Sequence, residues 1–145
     1  MASQDCSVAR ALSVVGDRWT MLIIREAFTG HRRFDQLLDS GASRTILADR
    51  LKLLVEHEVL TRELYSSHPD RYEYRLTDKG RDLYPVLLAL LGWGDRWMAG
   101  DDGPPLTVRH KPCGHVTTGS MTCTGCGEIL DARAVELATE QLRTG

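Results

Sequence analysis

Apolar residues recur at helical spacing at the start of the chain. Val8, Leu12 and Val15 form one row, and Trp19, Leu22, Ile23 and Phe28 form a second, as expected where one face of a 3.6-residue helix is buried. Between the rows lies Gly16-Asp17, where Gly suits a helix end and Asp an N-cap. The pattern predicts two helices within 7–28, the second stopped at Gly30. A short third helix falls in "RRFDQLLDS" (32–40), with Phe34, Leu37 and Leu38 inward. A fourth begins at Ser43, whose hydroxyl can cap it, and its inward row is Leu47, Leu51 and Leu54. The opposite face carries Thr45, Ala48, Asp49 and Lys52, with Arg44 near the first turn. Nearly free of apolar groups, that face is solvated or touches something polar.

Near residue 60 the period drops to two. "LTRELYS" (60–66) and "RYEYRLT" (71–77) alternate as strands, and "SHPD" (67–70) supplies turn formers between them. After Thr77 the helical pattern returns through "DLYPVLLALLGWGDRWM" (82–98), where Leu83, Val86, Leu87, Leu90, Leu91, Trp93 and Trp97 cover more than one face. A small domain cannot hide that much apolar surface alone, so a partner subunit is its simplest cover. Pro85 either kinks this helix or marks its first turn. "AGDDGPP" (99–105) has the composition of a linker, and "DARAVELATEQLR" (131–143) predicts a short closing helix. The expected organisation is a domain over 1–100, a linker over 101–106 and a small module over 107–145.

Three helices, a fourth with a polar outer face, a hairpin and an apolar helix make the order of a winged helix-turn-helix. The fold class is mainly α with a small β-hairpin wing. In that fold the fourth helix enters a major groove about 12 Å wide, and the hairpin tip reaches the neighbouring backbone. On this reading Arg44, Thr45 and Lys52 face the groove beside the capping Ser43. His68 and Arg71 sit on the wing, and Arg32 and Arg33 touch phosphate near the third helix. Any one of these taken alone is as readily a solvated surface residue. Asp49 either pairs with Lys52 or accepts from a cytosine amino group. A net charge of −2 gives no global attraction to a polyanion. Residues 31–81 hold ten Arg/Lys against nine Asp/Glu, and residues 101–145 hold four against six, so a DNA surface has to be made by placement.

The same stretches resemble a family. "CSVARALSVVGDRWTMLIIREAFTGHRRFDQL", "SRTILADRLKLLVEHEVLTRELY" and "DRYEYRLTDKGRDLYPVLLALLGW" follow one another over residues 6–97 and are similar to the HxlR-type transcriptional regulators, dimeric winged-helix relatives of the bacterial MarR group. The marks are Cys6, "GDRWT" (16–20), "RRF" (32–34), "YEYRLTDKGRDL" (72–83) and Pro85. The resemblance implies a recognition helix over 43–57, a wing tip over 66–71 and a homodimer built from residues 7–15 and 83–98. It also implies double-stranded DNA with a palindromic operator as the partner. Repression is what the family usually implies, and activators also occur in it. A dimer would read two half-sites about 34 Å apart, one helical turn.

Three of the four cysteines lie within fourteen residues. They form two clusters, His110-Lys-Pro-Cys113-Gly114 and Cys123-Thr-Gly-Cys126-Gly127, with nine residues between Cys113 and Cys123. Each reads ligand-x-x-ligand-Gly. Two ligands three apart can grip one metal from a tight turn, and the Gly lets the backbone take positive φ with its amide toward the sulfur. Two such turns give three thiolates and one imidazole, the preference of structural zinc, so one Zn2+ per chain is expected in a zinc-ribbon-like module. His115 is the rival to His110 as fourth ligand. The apolar material nearby, Val108, Val116, Met121, Ile129 and Leu130, is too little to pack alone, so metal binding would fold the module.

Cys6 precedes the first helix, where backbone N–H groups and the helix dipole favour a thiolate. The resemblance implies a sensor of oxidants or electrophiles there; the alternative is a small side chain buried in the dimer interface. A small-molecule or redox effector is therefore an expectation. No N-terminal apolar run follows a basic start, and no apolar stretch reaches bilayer length, so a soluble cytoplasmic protein with reduced cysteines is expected. That context, with an odd thiol left over, argues against disulfides. No βαβ frame supports a thioredoxin-like Cys-x-x-Cys. No catalytic triad, phosphate loop or framed carboxylate pair is visible, so an enzyme is not expected. The competing reading is a zinc-ribbon protein–protein adaptor whose winged helix serves as a dimer scaffold.

Overall fold

A computed structural model describes residues 6–138. The order is α1 (Ser7–Val15), α2 (Arg18–Phe28), α3 (Phe34–Leu37) continued by a 3-10 turn (Leu38–Ser40), and α4 (Arg44–Glu56). Then come β1 (Leu60–Ser66), β2 (Arg71–Leu76), α5 (Asp78–Arg81), α6 (Tyr84–Met98), β3 (Val108–Arg109), β4 (Val116–Thr117) and a 3-10 turn at Ala132–Ala134. The chain divides into two compact units, one through Leu87 and one from Leu88.

The first unit is mainly helical with one antiparallel hairpin, a winged helix-turn-helix. Local chemistry sets its boundaries. Asp17 caps α2, its carboxylate accepting from the amides of Trp19 at 2.7 Å and Thr20 at 3.2 Å. Gly30, at φ +99°, turns the chain back at the other end of α2. There the Gly30 N–H donates to the carbonyl of Ala27 and the His31 N–H to that of Glu26, both at 3.2 Å, the paired bonds of a Schellman ending. Ser43 Oγ accepts from the Ile46 amide at 3.2 Å and starts α4.

The core follows the apolar rows. Ile23 and Ile24 of α2, Leu37, Ala42, then Leu47, Leu51 and Leu54 of α4, and Val59 and Leu60 are all at most 5% exposed. Each large aliphatic side chain so buried stabilises the fold by about 1.5–3 kcal/mol. The hairpin aligns Leu60 with Leu76, Arg62 with Tyr74 and Glu63 with Glu73, with a bulge between Leu64 and Ser66. Thr77 joins hairpin to helix: its N–H donates to Val59 O at 3.1 Å, and its hydroxyl oxygen accepts from the Gly80 amide at 3.0 Å. A Cβ on Gly80 would lie 2.3 Å from the Val59 carbonyl oxygen, so "TDKG" ends in the only residue type that allows this approach. Pro85 sits in the first turn of α6, where its missing N–H costs nothing.

In the second unit, Gly119 at φ +73° abuts Leu88, whose Cδ2 would be 2.6 Å from an added Cβ. None of residues 101–138 is buried. The helix expected over 131–143 is not formed in its described part. Ala132–Ala134 make a 3-10 turn, Val135 is extended (φ −123°, ψ 151°), and 139–143 lie outside the described residues. The physical reason is exposure: Val135 and Leu137 are 54% and 89% exposed, and a short helix without a packed face is marginal in water. No helix among the described residues is long and apolar enough to cross a membrane.

Candidate nucleic-acid interface and cysteine turns

Helix α4 buries Leu47, Leu51 and Leu54 and leaves Ser43, Arg44, Thr45, Ala48, Asp49 and Lys52 exposed. Its outward face is therefore available along its whole length. Arg44 leans back over α3: its guanidinium lies 5.7 Å from the Phe34 ring centre and 3.4 Å from Asp35. Both partners of that ion pair are largely exposed, and it contributes little. Asp49 pairs with Arg50, not with Lys52. Among the described residues Lys52 and Arg71 have no ion-pair partner.

The wing extends α3 and the hairpin into one surface. Arg33 makes an isolated antiparallel bridge to Glu73, stacks its guanidinium 4.4 Å from the Tyr65 ring and places Nε 3.9 Å from Glu73. Its charge is thus partly spent inside the protein. Glu63 and Glu73 stand directly opposite, a repulsive arrangement offset by Arg75, which reaches Glu63 at 3.1 Å and Glu73 at 3.0 Å. At the tip, His68 (φ +62°) and Arg71 are exposed. Arg32 is placed apart from Arg33. It lines an open cleft of about 320 Å3 with Phe28, Tyr74, Arg75 and Arg81, a grouping of three arginines that linear order did not announce.

In the tail the two cysteine clusters fold as the same turn. In the first, the His110 N–H donates to His115 O (2.9 Å) and the Gly114 N–H to His110 O (2.7 Å). In the second, the Cys123 N–H donates to Glu128 O (2.7 Å) and the Gly127 N–H to Cys123 O (2.8 Å). Gly114 and Gly127 have φ +75° and +79°. The first turn is flanked by the β3–β4 pairing and the second by a Thr122–Ile129 bridge. His110 Nδ1 lies 3.4 Å from Cys113 Sγ. The amides of Cys126 and Gly125 and the Cys126 thiol hold the Cys123 thiol below its ordinary pKa, with Gly125 N at 3.3 Å from Sγ. The amides at the sulfur are thus those of Gly125 and Cys126, while the Gly127 amide goes to a carbonyl. Each turn offers a pair of donors of a type that zinc takes. No three of the four ligand atoms lie within 4.8 Å of one another; the described group that tight is Glu26, His31 and Asp39.

A family model for HxlR-like helix-turn-helix proteins matches residues 14–102. The chain belongs to that family. This HxlR-like protein is 49% identical to Rv3095 of Mycobacterium tuberculosis, an HTH-type transcriptional regulator, over 130 residues that cover 89% of this chain and 82% of the relative. Among solved structures it is similar to PA1607, described as a transcription-factor candidate, with 37% identity and a TM-score of 0.80 over 92% of this chain and 94% of that one. Neither likeness fits within 14–102, so both take in part of the tail. Reduced YodB of Bacillus subtilis, a transcriptional regulator, matches 66% of this chain and 98% of its own length at 33% identity and a TM-score of 0.55. A structure of diamide-treated YodB is similar as well. The HxlR-like chain is a helix-turn-helix transcriptional regulator, not an enzyme.

Sequence reasoning missed a direct link between the start of α2 and α4 in the HxlR-like scaffold. Arg50 of α4 donates from Nη2 to Asp17 Oδ2 at 2.7 Å. The Arg50 hydrogen bond, with the amides of Trp19 and Thr20, holds the Asp17 carboxyl below its usual range against the opposing effect of burial. The same bond raises Arg50. The only available signal was that Asp17 caps one helix while Arg50 borders the outward face of another.

Proposed function

We propose that this chain is a homodimeric repressor that reads a palindromic operator through α4 and the wing, with one structural zinc ion in its tail. The observation that carries the DNA reading is the exposed polar face of α4, with Thr45 and the unpaired Lys52, together with the uncovered wing tip at His68 and Arg71. Ser43 and Arg44 flank the helix start, where N–H groups can donate to phosphate. Arg32 and Arg33 serve phosphate in this reading, Arg33 the more weakly because Glu73 shares its charge.

Dimerisation is supported by apolar side chains left in the open. Val8 and Leu12 of α1 are 65% and 56% exposed, and Leu90, Trp93 and Trp97 of α6 are 53%, 60% and 64% exposed. Residues 7–15 and 83–98 of two copies would cover each other. Cys6, exposed and free at the start of α1, stands beside that surface. We read it as an oxidant sensor whose modification loosens the dimer, in keeping with the diamide-treated form known for YodB. Cys6→Ser should leave DNA binding insensitive to diamide; an unchanged response sinks the sensor.

His110, Cys113, Cys123 and Cys126 would hold the zinc, which supplies the folding energy the tail lacks. The matched turns support His110: it occupies the position of Cys123, whereas His115 occupies that of Glu128. The adaptor reading keeps one observation, the exposed Val116, Met121 and Ile129 of the tail. The deciding experiment measures DNA binding to the chain's own upstream region across salt concentrations, beside metal content of wild type and Cys123→Ser. Specific binding with a steep salt slope, and about one zinc lost in the variant, supports the proposal. Zinc without specific DNA binding moves the adaptor forward.

A further inference from the structure

The Schellman ending of α2 has chemical content. Its return bond places His31 back over Glu26, five positions earlier. Glu26 is one of three buried polar residues among the described residues, 7% exposed. Arg25 holds its Oε1 through the guanidinium, with Nε at 2.9 Å. The other oxygen, Oε2, lies 3.0 Å from His31 Nδ1, and Asp39 Oδ2 approaches the same nitrogen at 3.9 Å from the 3-10 turn.

The three ligand atoms lie within 4.8 Å of one another. A plain ion pair does not account for their arrangement. His31 Nδ1 is shielded from solvent and, despite the 3.0 Å separation, makes no hydrogen bond of acceptable geometry. The nitrogen and the two carboxylates share a neighbourhood while the nitrogen lacks a hydrogen-bond partner, an arrangement compatible with a common third atom between them. Ligands of a tetrahedral zinc at about 2.0 Å are about 3.3 Å apart; the observed 3.0 and 3.9 Å bracket that spacing.

We propose that Glu26, His31 and Asp39 form a second metal site, for a divalent cation of the zinc class, tying the end of α2 to the turn that leads into α4. One imidazole with two carboxylates selects such a cation over magnesium or calcium, which prefer all-oxygen shells. Water completes the coordination, since His31 and Asp39 are 31% and 69% exposed at their side chains. Arg25 limits affinity by repulsion, so the site is weaker than a four-ligand thiolate site. Its role is to stiffen the helix-turn-helix, which makes DNA affinity responsive to the metal. This inference goes beyond the tail zinc and does not depend on it.

The test uses the full chain, stripped of metal under reducing conditions and titrated with Co2+ and Zn2+ by equilibrium dialysis. Wild type should bind about two equivalents, one with thiolate-to-cobalt charge transfer and one without. Cys123→Ser should keep only the equivalent without the thiolate band. Adding Asp39→Asn to that variant should abolish it, and with it the rise in melting midpoint on adding Zn2+. Asp39 is exposed, so the double variant should fold; its metal-free melt checks this. His31→Gln should behave as Asp39→Asn does. Cys123→Ser that binds no metal, or a double variant that keeps its full equivalent, overturns the site. Either result leaves the thiolate band of wild type, and so the tail zinc, separately readable.

Discussion

The two ends of this regulator are held by different forces. Between Thr20 and Leu60, apolar rows at helical spacing converge on a core whose members are at most 5% exposed. From 107 to 130 nothing is buried, and order is carried by two sets of short backbone bonds around sulfur and imidazole. One region is specified by how much apolar surface it removes from water, the other by two matched backbone turns with histidine or cysteine at set positions. The contrast teaches that a substitution matters in the first region through volume and in the second through donor chemistry.

The largest effect expected is in the core. Leu51→Ala, at 1% exposure, should cost about 2–5 kcal/mol in denaturant melts, whereas Met121→Ala in the exposed tail should cost little. Chelation should do the opposite. In Asp39→Asn, which lacks the site proposed between α2 and the turn before α4, it should strip hydrogen-exchange protection from the amides of His110, Gly114, Cys123 and Gly127 while those of α4 keep theirs. Loss of protection in α4 on chelation would break the comparison. Ser43→Ala removes the α4 cap and should cost about 1 kcal/mol. Lys52→Ala should leave stability unchanged and lower the salt slope of DNA binding by about one.

The smallest effect expected is Asp17→Asn, which keeps the cap and loses the charge. The folded-state Asp17 lies below its ordinary value, so its contribution is full above about pH 4, the unfolded carboxylate range, and fades as pH falls through the lowered value. Melting midpoints between pH 5 and 2 should therefore fall less steeply in the variant. An unchanged acid limb would mean that the Arg50 contact carries no stability.

Much of the first region was legible because period encodes it. The inward row of α4, both strands and the Ser43 cap fall where the pattern put them, since each depends on neighbours within a few residues. What escaped depended on distance along the chain. Arg50 meets Asp17 across 33 residues, and Asp49 takes its charge partner from the next residue instead of the next turn. Nothing in the linear order marked Glu26, which the Gly30 turn brings beside His31. The closing helix failed for the converse reason: Val135 and Leu137, two positions apart, fall on different sides of a helix, and both stay exposed.

The matched wiring of the two tail turns has a further consequence. The bonds that close each turn join backbone atoms, so closure itself does not depend on which side chain stands at the first ligand position, although Cys123 Sγ also accepts from the Gly125 amide. Position 110 is in that sense a socket, already filled by histidine in one copy of the turn and by cysteine in the other. His110→Cys should be accepted as a direct replacement, trading an imidazole for a redox-sensitive sulfur. The choice of histidine leaves the tail one fewer thiol to lose to the oxidants that Cys6 is read here as sensing.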